Sequence, residues 1–184
     1  MIEPNPRLII AQTRNGYGVL AGRNFAAGEI ICEFRGQLYS RAELPQPYDS
    51  VDDHYVQIGD NLYMGPSGEV DDFFNHSCDP NAGLRIDGQK VWLIAIKNIA
   101  QGEEITWDYS TTMDEDEWEM ECNCGSELCR GKVRDFKYLP TEIQRKYLNL
   151  GIVPEYIVKK YFSDYQNPLT SKQGPVETEL IDNS

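Results

Sequence analysis

Phe73-Phe74-Asn75-His76-Ser77-Cys78-Asp79-Pro80-Asn81 is the stretch on which the fold turns. Its two aromatic residues anchor it in an interior, yet the seven residues that follow are polar and turn-forming. Buried polar side chains need partners, so either a folded loop or a bound ligand must satisfy Asn75 and His76. Taken by itself, His76 reads first as a histidine satisfied inside the fold. Cys78 finds company only far downstream, where Cys122-x-Cys124-x4-Cys129 sets three thiols among the polar Asn123, Ser126 and Glu127. Those neighbours argue against apolar burial. A closed tetrahedral zinc site takes four ligands, so the expected metal set is Cys78, Cys122, Cys124 and Cys129. Gly125 and Arg130-Gly131 allow a small knuckle around it. Cys32 is left over in an alternating run, residues 29–34, and reads as a small buried thiol.

Between Cys78 and the knuckle lies Gly102-Glu103-Glu104-Ile105-Thr106-Trp107-Asp108-Tyr109, with a short strand expected over 105–107. Tyr109, after an aspartate, reads in isolation as a packed amphipathic residue. Upstream, apolar runs at 7–11 and 19–21 flank Asn15-Gly16-Tyr17-Gly18, an ordinary glycine turn without the longer fingerprint of a dinucleotide site. Residues 55–58 and 61–64 read as a hairpin across Gly59-Asp60, and 84–86 and 91–96 as another across Asp87-Gly88. The run 91–96 is continuously apolar, which predicts a buried central strand. Many short strands with regular turns argue for a mainly β, β-rich α+β fold.

After Tyr109 the composition changes. Residues 114–121 form an acidic connector, read either as a solvated loop or as an electrostatic collar for a basic peptide, with Trp118 and Met120 docking on the core or walling a channel. Two helices are expected beyond the cysteines. Pro140 suits a first helical position, Leu139, Ile143 and Tyr147 share a face, Gly151 stops the run and Pro154 opens the next. The expected division is a core over 1–112, the connector and zinc segment over 113–136, helices over 137–165 and a disordered tail over 166–184.

The chain has 184 residues, 17 Lys and Arg against 30 Asp and Glu, and a formal charge of −13. That sign disfavours direct contact with nucleic acid and suits a basic peptide or protein partner. No apolar run approaches the ~18 residues of a membrane span, and the start lacks a secretory pattern. Thiols clustered as ligands suit a reducing compartment, cytoplasmic or nuclear. The sequence gives no oligomeric state.

Taken in order, Gly16-Tyr17-Gly18, Asn75-His76 with Cys78, the segment ending in Tyr109 and the three-cysteine cluster resemble a SET-domain protein-lysine methyltransferase with its zinc-binding post-SET segment, in a minimal form without a pre-SET module. The resemblance implies small curved sheets, with the 75–81 stretch and the Tyr109 segment in a knot-like crossing. It implies S-adenosylmethionine as cofactor, held by Gly16, Tyr17, Gly18, Asn75, His76 and Tyr109, and a structural zinc. It makes Tyr109 the catalytic tyrosine at the end of a lysine channel shared with Tyr55 and Trp107, Tyr55 being a second catalytic candidate. The substrate would be a basic protein such as a histone tail. Two departures stand out. Asp72 sits where many members carry arginine, and Trp107 replaces the usual Tyr or Phe two residues before the tyrosine. They keep a second reading in play, a SET-like module that binds a basic peptide without turnover; a third is a zinc-stabilised scaffold whose C-terminal aromatics face a partner.

Overall fold

The computed structural model describes residues 7–45 and 54–165. The tail expected over 166–184 lies outside the described residues. In chain order the strands are β1 (Leu8–Thr13), β2 (Gly16–Ala21), β3 (Ile30–Phe34), β4 (Leu38–Tyr39), β5 (Val56–Gly59), β6 (Leu62–Met64), β7 (Ala82–Asp87), β8 (Lys90–Ala95), β9 (Glu104–Ile105), β10 (Met120–Glu121) and β11 (Lys132–Val133). Two helices follow, α1 (Thr141–Leu150) and α2 (Glu155–Tyr161). All strand pairings between these elements are antiparallel, in three small sheets ordered β1-β2-β9, β3-β8-β7 and β4-β6-β5, with β10-β11 as a separate pair.

The expected hairpins form, each turning one residue later than expected at Asp60-Asn61 and Gly88-Gln89. The first hairpin turns at Arg14-Asn15, so Gly16, Tyr17 and Gly18 belong to β2 rather than to a loop. Gly16, at φ 92°, supplies the positive φ that closes this turn. β8 is the central strand of its sheet, as its apolar run predicts, and both of its faces are covered. Val91, Leu93 and Ala95 enter the main core with Phe34, Phe74 and Trp107. Ile94 enters a second core built from Phe136, Leu139, Tyr147, Leu148, Ile152 and Ile157. The helices are therefore packed onto the back of the β8 sheet. Tyr147 is fully buried and Tyr156 and Phe162 pack beside it, so these three face inward, whereas Tyr161 is exposed.

Pro140 precedes α1 as its extended N-cap (ψ 141°) instead of occupying the first helical position, and Pro154 does the same for α2. Gly151 ends α1 in the left-handed conformation at φ 65°. The strand expected over 105–107 stops at Ile105. From there the chain leaves β2 and pairs in parallel with the 75–77 stretch, through a bridge between His76 and Trp107. Trp107 N donates to Asn75 O (3.2 Å), Ser77 N to Trp107 O (3.1 Å) and Ala82 N to Thr106 O (3.0 Å). Asn81 completes the seam, donating to Glu104 O (2.8 Å) and accepting from Thr106 N (3.0 Å). The polar heptapeptide thus finds its partners in the segment leading to Tyr109. Among the described residues, no helix is long and apolar enough to cross a membrane.

Candidate active site

A cleft of about 490 Å³ opens between the β1–β2 hairpin, the 75–76 stretch and the cysteine knuckle, with Tyr17, Asn75, His76, Tyr109 and Cys124 on its walls. That volume is in the range of small-molecule sites. The Asn75 amide ties the walls together. It donates to Tyr17 O (3.1 Å), Glu104 Oε1 (2.8 Å) and Thr13 Oγ1 (3.2 Å). Gly18 stands behind this junction. A Cβ there would lie 2.5 Å from Glu104 Oε1 and 2.7 Å from both Asn75 Nδ2 and Thr13 Cγ2. Gly18→Ala is therefore expected to push Asn75 into the cleft and destabilise the protein by about 1–3 kcal/mol. Denaturant unfolding measures this, and a midpoint equal to that of the unsubstituted chain would show the close approach to be harmless.

His76 is buried, and burial pushes its imidazole down to about 4 against the pull of Asp108, leaving it neutral. Its Nδ1 accepts from Tyr109 N (3.2 Å), so its proton sits on Nε2, which lies 3.3 Å from Cys78 Sγ. The ring is thus a structural link between the Tyr109 backbone and the cysteine cluster. The four sulfurs of Cys78, Cys122, Cys124 and Cys129 lie within 4.8 Å of one another, and those of Cys78 and Cys122 are 3.6 Å apart. Four thiolates about 2.3 Å from one zinc stand about 3.8 Å apart in a tetrahedron, so this donor set fits a zinc ion. Cys32 is not part of the cluster; it is half-buried against the main core rather than fully buried, and desolvation pushes its thiol up to about 12.

Tyr109 starts a single 3-10 turn, Tyr109–Thr111, capped by the Asp108 carboxylate through Ser110 N. Burial raises its phenol well above the ordinary value, with the Glu104 charge adding to the effect. The phenol therefore stays protonated, and its hydroxyl donates to Phe74 O at 2.7 Å. The Tyr109 ring lies 4.7 Å from that of Trp107 and 5.3 Å from that of His76, centroid to centroid. Two smaller cavities of about 60 and 70 Å³ meet there, both walled by Tyr55, Trp107 and Tyr109. Tyr55 packs edge-on against Tyr39 at 5.4 Å. The Trp107 indole N–H is buried without a hydrogen-bond partner among the described residues, a cost its ring packing must outweigh.

Asp72, the residue in the arginine's place, is a turn cap. Its Oδ1 accepts from Ser67 N (3.0 Å) and its Oδ2 from Gly68 N (2.7 Å). The acidic connector is partly exposed to solvent, and at least four of its acids are tied to other parts of the fold. Asp114 is held by Lys160 and Tyr161 of α2, each at 2.6 Å, Asp116 by Lys137 and Tyr138, Glu117 by Arg41 and Glu119 by Lys132. Asp135 fixes the connector backbone by accepting from Glu115 N (2.9 Å) and Asp116 N (2.8 Å). Trp118 walls the 60 Å³ cavity and Met120 the large cleft.

Several residues of the site escaped the sequence reading. Gln57 is buried beside the smaller cavity and accepts from Asp114 N (2.8 Å); a polar residue inside an apolar strand run was its one signal. Arg14 crosses from the β1–β2 turn to the knuckle, donating to Asn123 O at 3.1 Å, a contact with no local signature. Asp108 joins Arg130 and Tyr147 from distant parts of the chain.

A sequence model described as SET domain matches residues 16–110. The chain is 31% identical over 157 residues to the probable histone-lysine N-methyltransferase set-23 of Caenorhabditis elegans, a match covering 74% of this chain and 62% of the nematode protein. Its fold is similar to that of Arabidopsis thaliana SUVH6 solved with SAM (TM-score 0.59, 23% identity, 69% of this chain, 33% of that one). It is also similar to KRYPTONITE solved with mCHH DNA, an H3(1-15) peptide and SAH (TM-score 0.54, 23% identity, 69% and 29%). At that identity the likeness to these two structures is one of fold.

Proposed function

This chain belongs to the SET-domain family, and from that premise we propose that it is a protein-lysine methyltransferase, with S-adenosylmethionine as methyl donor and a basic, histone-type tail as substrate. The observation that carries the reading is the convergence of the large cleft and the two small cavities on Tyr109. Asn75, Tyr17 and the main chain at His76 would hold the cofactor between hairpin and knuckle, while the four cysteines would hold zinc. S-adenosylmethionine, when bound, supplies an electrophilic methyl on a sulfonium.

The residues of the chain do the rest. A lysine amine with a pKa near ~10.4 is almost wholly protonated at neutral pH. Walls of Tyr55, Trp107 and Tyr109 make a dry channel that disfavours the ammonium form. Tyr109, protonated and held against Phe74 O, cannot take that proton, so the proton leaves to water before reaction. The role of Tyr109 is to orient the neutral amine, and orientation supplies most of the rate. Carbonyl oxygens beside the channel, Phe74 O among them, can add weak C–H···O contacts of about 0.5–1 kcal/mol each.

The nematode relative's description and the formal charge of −13 support a histone-type tail, and such a substrate implies work in the nucleus. Steering would come from the net charge of the whole chain, since the connector acids named above are paired internally. Trp107 lacks the phenol that would hold a water in the channel, so di- or trimethyl product is expected.

The test is methyl transfer from labelled S-adenosylmethionine to core histones, with mass spectra of the product. Label on a lysine, progressing past the monomethyl state, is the expected result. Monomethyl product alone after exhaustive turnover would overturn the Trp107 reading. Cofactor binding without any transfer would point instead to a peptide-binding module.

A further inference from the structure

The geometry points to Tyr147, on α1 and outside the 16–110 stretch that matches the family, as a positioning residue for Tyr109, an inference that rests on the methyl-transfer reading only for its kinetic arm. The link runs through Asp108, whose side chain is fully buried. Arg130 grips this carboxylate with both arms, Nη1 to Oδ2 and Nη2 to Oδ1, each at 2.8 Å. The Tyr147 hydroxyl donates to Oδ2 at 2.9 Å. A buried carboxylate bound this way has one orientation, because turning it would strand a charge without partners.

That orientation reaches Tyr109 directly. Asp108 Oδ1 accepts from Ser110 N (3.1 Å), and Asp108 O accepts from Thr111 Oγ1 (2.7 Å) and Thr111 N (3.0 Å). Together these bonds build the 3-10 turn that begins at Tyr109. Arg130 is itself held at the cysteine knuckle, where its N–H points to Cys78 Sγ at 3.4 Å. The knuckle fixes one side of the Asp108 carboxylate and α1 fixes the other. Tyr147 can donate this bond and no charge, and its ring is packed in the second core whether or not the hydroxyl is present.

Tyr147→Phe in the full chain isolates the hydroxyl. Hydrogen exchange needs no activity and comes first. Amides over residues 109–112 are expected to exchange about tenfold faster, with those of residues 145–150 unchanged. In histone methylation, kcat is expected to fall about tenfold at unchanged KM and zinc content. Unchanged exchange overturns the positioning role, and so does faster exchange with kcat within twofold, which is the outcome of a merely structural bond. Faster exchange in a protein that binds cofactor but gives no transfer even without the substitution supports the link to Tyr109 and sinks the methyl-transfer reading instead. A protein that does not fold without the Tyr147 hydroxyl overturns the positioning role in favour of a structural one.

Discussion

Tyr109→Phe is expected to lower kcat for methyl transfer by about 10²–10³-fold, the loss typical of removing one preorganised polar group from a reaction centre. The hydroxyl at stake donates to Phe74 O at 2.7 Å and lies where the channel cavities and the cleft meet. Without it, the ring keeps its packing on Trp107 and His76, so the walls of the channel survive. What is lost is the partner of the Phe74 carbonyl and, on the proposed reading, the fixed oxygen that would orient the amine. The structural cost should be about 1 kcal/mol, that of one hydrogen bond. Cofactor affinity and zinc content are expected within about twofold of the unsubstituted protein, because Asn75, Tyr17 and the cysteines do not depend on the phenol. Single-turnover kinetics beside a cofactor titration separate these quantities. Turnover retained within a few-fold would remove Tyr109 from the catalytic role.

Metal removal should have the other large effect. Structural zinc in small peptides contributes apparent binding energies of about 10–16 kcal/mol, more than the knuckle can replace from its own contacts. The pair β10-β11 is two residues wide, and Cys129 is exposed. Chelation, or Cys124→Ser, is therefore expected to free residues 120–131 from the core. Two consequences follow from the geometry. The cleft loses the wall that carries Met120 and Cys124, and Arg130 loses its purchase on Asp108. Cofactor affinity should drop by at least about tenfold and return when zinc is restored, while the main core stays folded. Far-ultraviolet circular dichroism, metal content and cofactor binding, followed together, measure this. A protein unaltered after complete zinc loss would show that the knuckle holds itself.

The sequence made some of this legible and hid the rest for physical reasons. The apolar run at 91–96 announced a strand covered on both faces, because only burial on two sides tolerates such a run. Cys78 could be assigned to the distant cysteines because zinc needs a fourth ligand, and the sulfurs do assemble. Pairing between side chains far apart in sequence left no such trace. Nothing near Asp108 names Tyr147, and nothing near Asp114 names Lys160 and Tyr161. The ion pairs of the acidic connector left no trace in the sequence because its cations, Arg41, Lys132, Lys137 and Lys160, come from before and after it. Gly16-Tyr17-Gly18 looked like a loop because glycines mark turns, whereas the hairpin turned two residues earlier and used Gly18 for close approach.

The cysteine cluster also has a timetable. Cys78 lies in the core, and its last partner, Cys129, is made 51 residues later. At a synthesis rate of about 5–20 residues per second, that gap lasts roughly 3–10 s. During that interval the crossing of residues 75–81 with the Tyr109 segment can already form, while the thiol of Cys78 waits without its full set of partners. A zinc ion that needs all four thiols could therefore close its site only after Cys129 is made. The wall of the cleft that carries Cys122 and Cys124 would then be among the last parts of a newly made chain to be fixed.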